Sequence, residues 1–405
     1  MDRASGDSAA AADDAGADGP GATGTIGTRV VAERRRGRGA VLNPANRYDR
    51  LHREEEGDAI DAALRDGELT PAATDVRVER PRRIITRNQS PDISFDRSIN
   101  PYRGCEHGCV YCYARPSHAY LGLSPGLDFE TKLVARPSAP DLLRRELARP
   151  GYRVAPIALG TNTDPYQPIE DDWRIMRGLL EVMEETGHPL TIVTKSARIT
   201  RDIDILARLA RRRLVKVAIS VTTLDHRLAR LMEPRASTPK RRLAAIRALA
   251  EAGVPTAVMA APMIPALNDH EMEAILTAAA EAGASAAGWV LLRMPLEVRD
   301  LFYAAVEEWS SARARRVRRI LREMRGGRDY DSTFGTRMRG RGPHAALLAQ
   351  RFRAAVRRLG LDRPDGGLSL TQFRPPQLPT EERRKPPRTA KKKADGRADG
   401  QLDLF

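Results

Sequence analysis

Ser98-Ile99-Asn100-Pro101-Tyr102-Arg103-Gly104-Cys105-Glu106-His107-Gly108-Cys109-Val110-Tyr111-Cys112-Tyr113 holds every cysteine of the 405-residue chain. The spacing is C-x3-C-x2-C, at the end of a short β-rich run. Three thiolates from one loop can hold three irons of a four-iron, four-sulfur cluster and leave the fourth iron open. An open iron can chelate a small molecule through an amine and a carboxylate. Glycines at 104 and 108 let the backbone wrap closely. A structural zinc is the alternative and needs a fourth ligand, for which His107 and His118 are the candidates. His107 lies strained between two ligands, and no second cysteine knuckle exists.

Outward from the loop, apolar runs alternate with helical stretches. The runs are Ser98–Gly104, Pro156–Thr161, Leu190–Lys195, Val215–Val221, Pro255–Met263 and Ala286–Arg293. They are continuous rather than alternating, as in parallel strands covered on both faces. Helices are expected over Asp141–Arg149, Asp171–Thr186 and Arg201–Arg212, from the Ser237-Thr238-Pro239 cap to Gly253, and from Asn268 to Gly283. Met176, Leu179, Leu180 and Met183 form an i, i+3, i+4, i+7 stripe. Six β–α units predict an α/β fold, a parallel barrel or doubly wound sheet, with ligands at the C-terminal ends of the strands.

The flanks differ. Residues 1–40 read as a disordered N-terminal tail and 41–95 as a polar N-terminal extension. The core covers 96–296 and a helical C-terminal extension 297–373. Residues 374–405 form a disordered basic tail. Arg313, Arg315, Arg316, Arg318, Arg319, Arg322 and Arg325 give the extension a basic surface around a Val317, Ile320, Leu321, Met324 stripe. Lys and Arg number 68 against 53 Asp and Glu, a formal +15. That balance fits an arginine-rich composition or contact with a polyanion such as nucleic acid. Hydrophobic residues at 41% exclude global disorder. No run approaches 18 apolar residues, so no membrane span is expected. The first 25 residues lack an apolar stretch, so no export signal is expected, and clustered thiols then indicate the reducing cytoplasm.

C-x3-C-x-aromatic-C, here Cys105, Cys109, Tyr111 and Cys112, resembles the signature of the radical SAM superfamily. The resemblance implies a partial (β/α)6 TIM-like barrel over about residues 96–296. It implies a 4Fe-4S cluster on Cys105, Cys109 and Cys112 whose unique iron binds S-adenosylmethionine. Electron transfer then makes a 5′-deoxyadenosyl radical, with an electron donor such as flavodoxin or ferredoxin as partner. Gly160-Thr161-Asn162-Thr163-Asp164-Pro165-Tyr166-Gln167-Pro168-Ile169-Glu170, Thr194-Lys195-Ser196, Ala218-Ile219-Ser220 and Arg87-Asn88-Gln89-Ser90-Pro91 resemble the spore photoproduct lyase-like branch. By that resemblance Tyr111 lies against the adenine, Lys195 pairs with the cofactor carboxylate, Ser220 hydrogen-bonds the same ligand, and Asn162, at the second-strand mouth, is a further cofactor-binding residue. Asp164 and Glu170 read as helix-cap acids.

One departure matters. The photoproduct lyase uses a further cysteine on the second-strand loop as hydrogen-atom donor. Asn162 occupies that place here, and there is no fourth cysteine. Tyr113 is the chemically reasonable substitute and the candidate catalytic residue.

The expected function is radical chemistry on DNA or another nucleic acid, in the manner of repair. The alternatives are a radical enzyme modifying a protein or small molecule, or a non-catalytic iron–sulfur adaptor. Gln401-Leu402-Asp403-Leu404-Phe405 resembles the motif by which bacterial polymerases and repair proteins dock onto the DNA sliding clamp, so the clamp is an expected partner.

Overall fold

The computed structural model describes residues 28–31, 35–48, 71–362 and 366–378. The basic tail beyond 378 and the clamp-like pentapeptide Gln401–Phe405 lie outside them, as do residues 1–27. Six parallel strands run in sequential order: β1 (Arg97–Ile99), β2 (Ile157–Leu159), β3 (Leu190–Thr194), β4 (Val215–Ser220), β5 (Thr256–Met263) and β6 (Ala286–Leu291). Neighbours pair in parallel throughout, for example Ser98 with Ala158, Leu190 with Val215 and Ala257 with Ala286. A short strand, Thr86–Arg87, adds antiparallel to β1. Among the described residues β6 does not pair back to that edge, so this is an open parallel sheet of six β–α units.

The principal helices are α1 (Ala139–Leu147), α2 (Ile175–Thr186), α3 (Ile203–Arg211), α4 (Pro239–Glu251), α5 (Met272–Glu281), α6 (Val298–Trp309), α7 (Ser311–Glu323) and α8 (Gly342–Leu359). In this series α1 packs on α2, α2 on α3, α4 on α5 and α5 on α8. The stripe Met176, Leu179, Leu180 and Met183 is fully buried, together with the strand residues Ile99, Ile157, Leu159, Ile192 and Ile219. Burying each of these side chains contributes about 1.5–3 kcal/mol, which makes the helix–sheet interface the main apolar core. Among the described residues no helix is long and apolar enough to cross a membrane.

Three expectations need correction. The first run is broken: β1 stops at Ile99, and after Pro101 the pair Tyr102–Arg103 joins a separate three-stranded sheet with Asp75–Val78 and Lys132–Ala135. Proline has no N–H to continue the ladder. The helix expected over Asp171–Thr186 is two, Glu170–Trp173 and α2, separated by Arg174 at φ 48°. The Glu170 carboxylate takes the Met176 N–H at 3.1 Å and so starts the second helix. Finally Arg38, Gly39 and Ala40, placed by the sequence reading in the N-terminal tail, are buried against the cysteine loop.

Candidate active site

The cysteine loop is built by backbone contacts from several elements. Cys105 N–H donates to Phe129 O (2.9 Å), Val110 N–H to Met232 O (3.0 Å) and Cys112 N–H to Cys109 O (3.2 Å). Gly108 has φ +66°, and a Cβ there would stand 2.8 Å from Glu130 Oε2. Only glycine meets both demands. Arg115 is fully buried behind the loop. It donates to Cys109 O (3.0 Å) and Gly126 O (2.8 Å) and pairs with Glu130. Glu130 in turn accepts the N–H groups of Gly39 and Ala40 at 2.8 Å each. Residues 38–40 therefore form a strap across the loop. A Cβ on Gly39 would collide with the Gly108 carbonyl.

All three thiols are free, Cys105 and Cys109 buried and Cys112 half-buried. Burial pushes the Cys109 thiol up to about 12 and the Cys105 thiol well above its ordinary value. Buried thiols of that kind are inert until a metal binds them as thiolates. A doubled-back loop with three free thiols and no disulfide suits the ligand set of an iron–sulfur cluster. His118, the alternative zinc ligand, is engaged elsewhere: its Nε2 meets Lys132 O at 2.9 Å. Among the described residues no three His, Cys, Asp or Glu side chains gather as a single-ion site.

Beside the loop, at the C-terminal ends of the strands, lies a cavity of about 690 Å³. It brings together Cys109, Tyr111, Cys112, Tyr113, Asn162, Lys195 and Ser220; Cys105 is not among its lining residues. Tyr111 is buried, and its hydroxyl donates to Glu233, while Lys195 Nζ lies 5.8 Å from its ring centroid. Burial works against the charge of Lys195, but Cys109 and Glu233 outweigh it and raise its pKa. Tyr113 donates its hydroxyl proton to Thr161 O, beside Asn162, under the Arg293 guanidinium at 5.0 Å. Asn100 holds the second-strand loop by accepting from Asn162 N–H at 3.0 Å.

The sequence reading missed two groups. The first is the buried quartet Tyr111, Thr222, Glu233 and Arg242, in which Arg242 also donates to Ser220 O (3.0 Å). A lone Glu and a lone Arg nine residues apart carry no periodic signal. The second is Asp164, which is more than a helix-cap acid. Its carboxylate accepts from Thr194 Oγ1 (2.6 Å) and Lys195 N–H (2.7 Å) and lies 3.4 Å from His107 Nδ1. It thereby joins the cysteine loop to the end of β3. Burial alone would raise its pKa, but His107 and these donors hold it well below the usual carboxylate range.

Similarity to known proteins agrees with this geometry. An uncharacterized protein of Mycobacterium tuberculosis is 42% identical over 195 residues, 48% of this chain and 57% of that protein. An uncharacterized protein of Methanocaldococcus jannaschii is 27% identical over 173 residues, 43% of this chain and 62% of that protein. The chain thus spans little more than half the length of the curated relatives it matches. Spore photoproduct lyase complexed with dinucleoside spore photoproduct superposes with a TM-score of 0.52 at 16% identity, covering 78% of this chain and 86% of that one. A variant of the same lyase gives 0.52 at 18% identity, covering 77% and 85%. At that identity the likeness establishes the fold. The model of the radical SAM superfamily, whose members use a 4Fe-4S cluster and S-adenosylmethionine, matches residues 99–279. That match begins at the cysteine loop, ends in α5 and identifies this part of the chain as a radical SAM domain.

Proposed function

We propose that the chain is an enzyme that reductively cleaves S-adenosylmethionine to a 5′-deoxyadenosyl radical and acts on DNA or another nucleic acid in a repair-like reaction. One observation carries this reading. A single cavity gathers the cysteine loop, Lys195 and Ser220 with four arginines, Arg103, Arg136, Arg293 and Arg337. Arg103 and Arg136 share the single acid Glu79 and Arg337 pairs with Asp92, so with Arg293 and Lys195 the lining keeps an excess of positive charge. Such a rim attracts a polyanion.

In this proposal Cys105, Cys109 and Cys112 hold the cluster. When bound, the cluster supplies the electron that splits the sulfonium of S-adenosylmethionine. Lys195 keeps its ammonium charged and pairs with the cofactor carboxylate. Ser220 and Asn162 line the same cavity as polar contacts, and the Tyr111 ring supplies an apolar wall. Tyr113, whose hydroxyl is bonded to Thr161 O beside Asn162, is the proposed hydrogen-atom donor to a substrate radical. Tyr113→Phe should leave 5′-deoxyadenosine formation intact and uncouple it from product. The further proposals are an electron donor of the flavodoxin or ferredoxin type, a cytoplasmic location, and docking of Gln401–Phe405 on the sliding clamp, supported by the motif in the sequence.

The test is 5′-deoxyadenosine release by the anaerobically reconstituted, reduced protein, screened against damaged DNA, intact DNA, tRNA and protein extract. A nucleic acid should raise turnover by roughly an order of magnitude, about 1.4 kcal/mol of transition-state stabilisation. Cys105→Ala, Cys109→Ala and Cys112→Ala should each abolish iron uptake and release. Absence of 5′-deoxyadenosine in every arm would sink the enzyme reading. Stimulation by protein alone would sink the nucleic-acid reading.

A further inference from the structure

The arginine run of α7 divides into two kinds. Arg313, Arg315, Arg316, Arg318, Arg319 and Arg322 are exposed; Arg325, just past the helix end, is 4% exposed. One of its N–H groups donates to Leu292 O at the end of β6. Its Nε and Nη1 are buried and have no hydrogen-bond partner. Its guanidinium stacks on the Tyr330 ring, 5.2 Å from the centroid.

Arg293 follows Leu292 and lines the cavity. Its Nη2 lies 3.5 Å from Tyr330 Oη, and its Nε is also buried without a partner. Neither guanidinium is in an ion pair among the described residues. The acids nearby are committed. Asp329 receives the Tyr303 hydroxyl (3.3 Å) and lies 3.6 Å from Arg318. Asp331 caps Thr333 N–H (3.0 Å) and lies 3.6 Å from Arg341. Asp92 is held by Arg337 at 2.6 Å. Burial lowers the pKa of Arg325, and Tyr330 and Asp331 offset it only in part. Two neighbouring guanidiniums with three buried, unpartnered nitrogens carry a desolvation cost that the Leu292 carbonyl and the Tyr330 ring return only in part, and no acid among the described residues completes. An incoming oxyanion would return it, because planar N–H forks match the oxygens of a phosphate.

We propose that Arg293, the member of this group that lines the cavity, forms with Arg325 and Tyr330 packed behind it an anion subsite at the β6 side, which takes a phosphodiester of the substrate. The assignment rests on the nucleic-acid reading above. Arg293 presents its guanidinium to the cavity directly, and Arg325 stands behind it, one carbonyl away. Because Arg293 also lies over the Tyr113 ring, a phosphate held there sets the attached nucleotide beside the proposed hydrogen-atom donor. The subsite fixes register along the strand and carries no base preference.

The experiment uses the full-length protein in two arms. In the first, inorganic phosphate is titrated against the melting temperature, with chloride at equal ionic strength as control. Phosphate should raise the melting temperature of the wild type and leave that of Arg325→Met and Arg293→Met unchanged. Without phosphate, Arg325→Met should melt no lower than the wild type, since it removes an unpaired buried charge. Arg325→Lys, which keeps the charge and loses the fork, should respond weakly if Met is not tolerated. In the second arm, thymidylyl-thymidine is compared with its neutral methylphosphonate analogue. The wild type should prefer the charged dinucleotide by about ten-fold, as expected for a charge-assisted contact, and both variants should lose that preference. A full phosphate response in folded variants, with Arg325→Met melting lower, would make Arg325 structural and overturn the subsite. Equal preference for the charged dinucleotide in wild type and variants would overturn it with the nucleic-acid reading intact. Phosphate protection with no binding of either dinucleotide would overturn the phosphodiester assignment and the nucleic-acid reading together.

Discussion

The hydroxyl of Tyr111 donates to the carboxylate of Glu233, 122 residues away, so the aromatic residue before the last cysteine is fixed from beyond the end of β4. The same carboxylate accepts from Thr222 Oγ1 at 2.6 Å and pairs with Arg242. Burial alone would push its pKa up, but Arg242 and Lys195 outweigh that and hold it down at about 2. Arg242 reaches on to the backbone of Ser220 and Ser237. One buried ion pair thus sets the cavity wall at two of its lining residues, Tyr111 and Ser220, and its acid adds to the field that keeps Lys195 charged.

Removing the acid should therefore cost more than one hydrogen bond. Glu233→Ala leaves Arg242 buried and uncompensated and should destabilise the protein by about 3–5 kcal/mol in urea unfolding. Glu233→Met combined with Arg242→Met should recover most of that loss. A single-mutant loss below about 1 kcal/mol would show that the pair does not hold the wall.

Lys195→Ala should act on cofactor affinity and leave the cluster alone. Losing a charge-assisted contact costs about 1.5–3 kcal/mol, or roughly 10–150-fold in the dissociation constant for S-adenosylmethionine. Equilibrium binding to protein with wild-type iron content measures it. Unchanged affinity would remove Lys195 from the site.

Much of this arrangement is legible in the sequence because it is local or periodic. The C-x3-C-x2-C loop, the six apolar runs and the buried stripe of α2 each lie within one short segment. The strap at Gly39, the Glu233–Arg242 pair and the contact of Asp164 with His107 are different. Each joins residues whose proximity is created by the sheet order, and a single sequence carries no record of which lone Glu meets which lone Arg. Arg325 shows the limit most clearly. It belongs to a run of like charges that reads as one solvated face, and its place four residues after Leu321, on the buried stripe, is masked in that reading by its charge.

Stability should fall in mild acid because of His188. This ring is fully buried; its Nδ1–H donates to Pro189 O (2.9 Å), which leaves Nε2 to accept the Tyr152 hydroxyl (2.8 Å). Burial lowers its pKa to about 4 from the ordinary 6.5, and Arg97 adds to the shift. Between those values the unfolded chain binds the proton and the folded chain does not. Stability is then complete above about pH 6.5 and declines as pH falls towards 4, by up to about 3 kcal/mol from this group. Urea midpoints across that window check it, with His188→Gln expected to flatten the slope. An unaltered slope in the variant would assign the acid lability elsewhere.

The strap over the cysteine loop gives the last prediction. Gly39 meets Gly108 backbone to backbone, and its N–H, with that of Ala40, is held by the buried Glu130 carboxylate that Arg115 also grips. The loop is thereby closed by a segment about 70 residues upstream of it. Adding one methyl group at Gly39 forces either the strap or the Gly108 turn to move. Overpacking of this kind costs about 1–3 kcal/mol. If the strap lifts, that energy appears as easier opening of the loop, with each 1.4 kcal/mol worth about ten-fold in the open population. Gly39→Ala should therefore lose iron to a chelator about ten-fold faster or more, and bleach correspondingly faster in air. Gly37→Asn is the matched control, because position 37 has open space and a φ of +75° that asparagine tolerates. Glu130→Gln should reproduce the Gly39→Ala behaviour from the other side of the contact, since it weakens the grip of Arg115 and both strap amides at once. Wild-type iron retention in Gly39→Ala, at a wild-type melting temperature, would mean that the strap covers the loop without holding it.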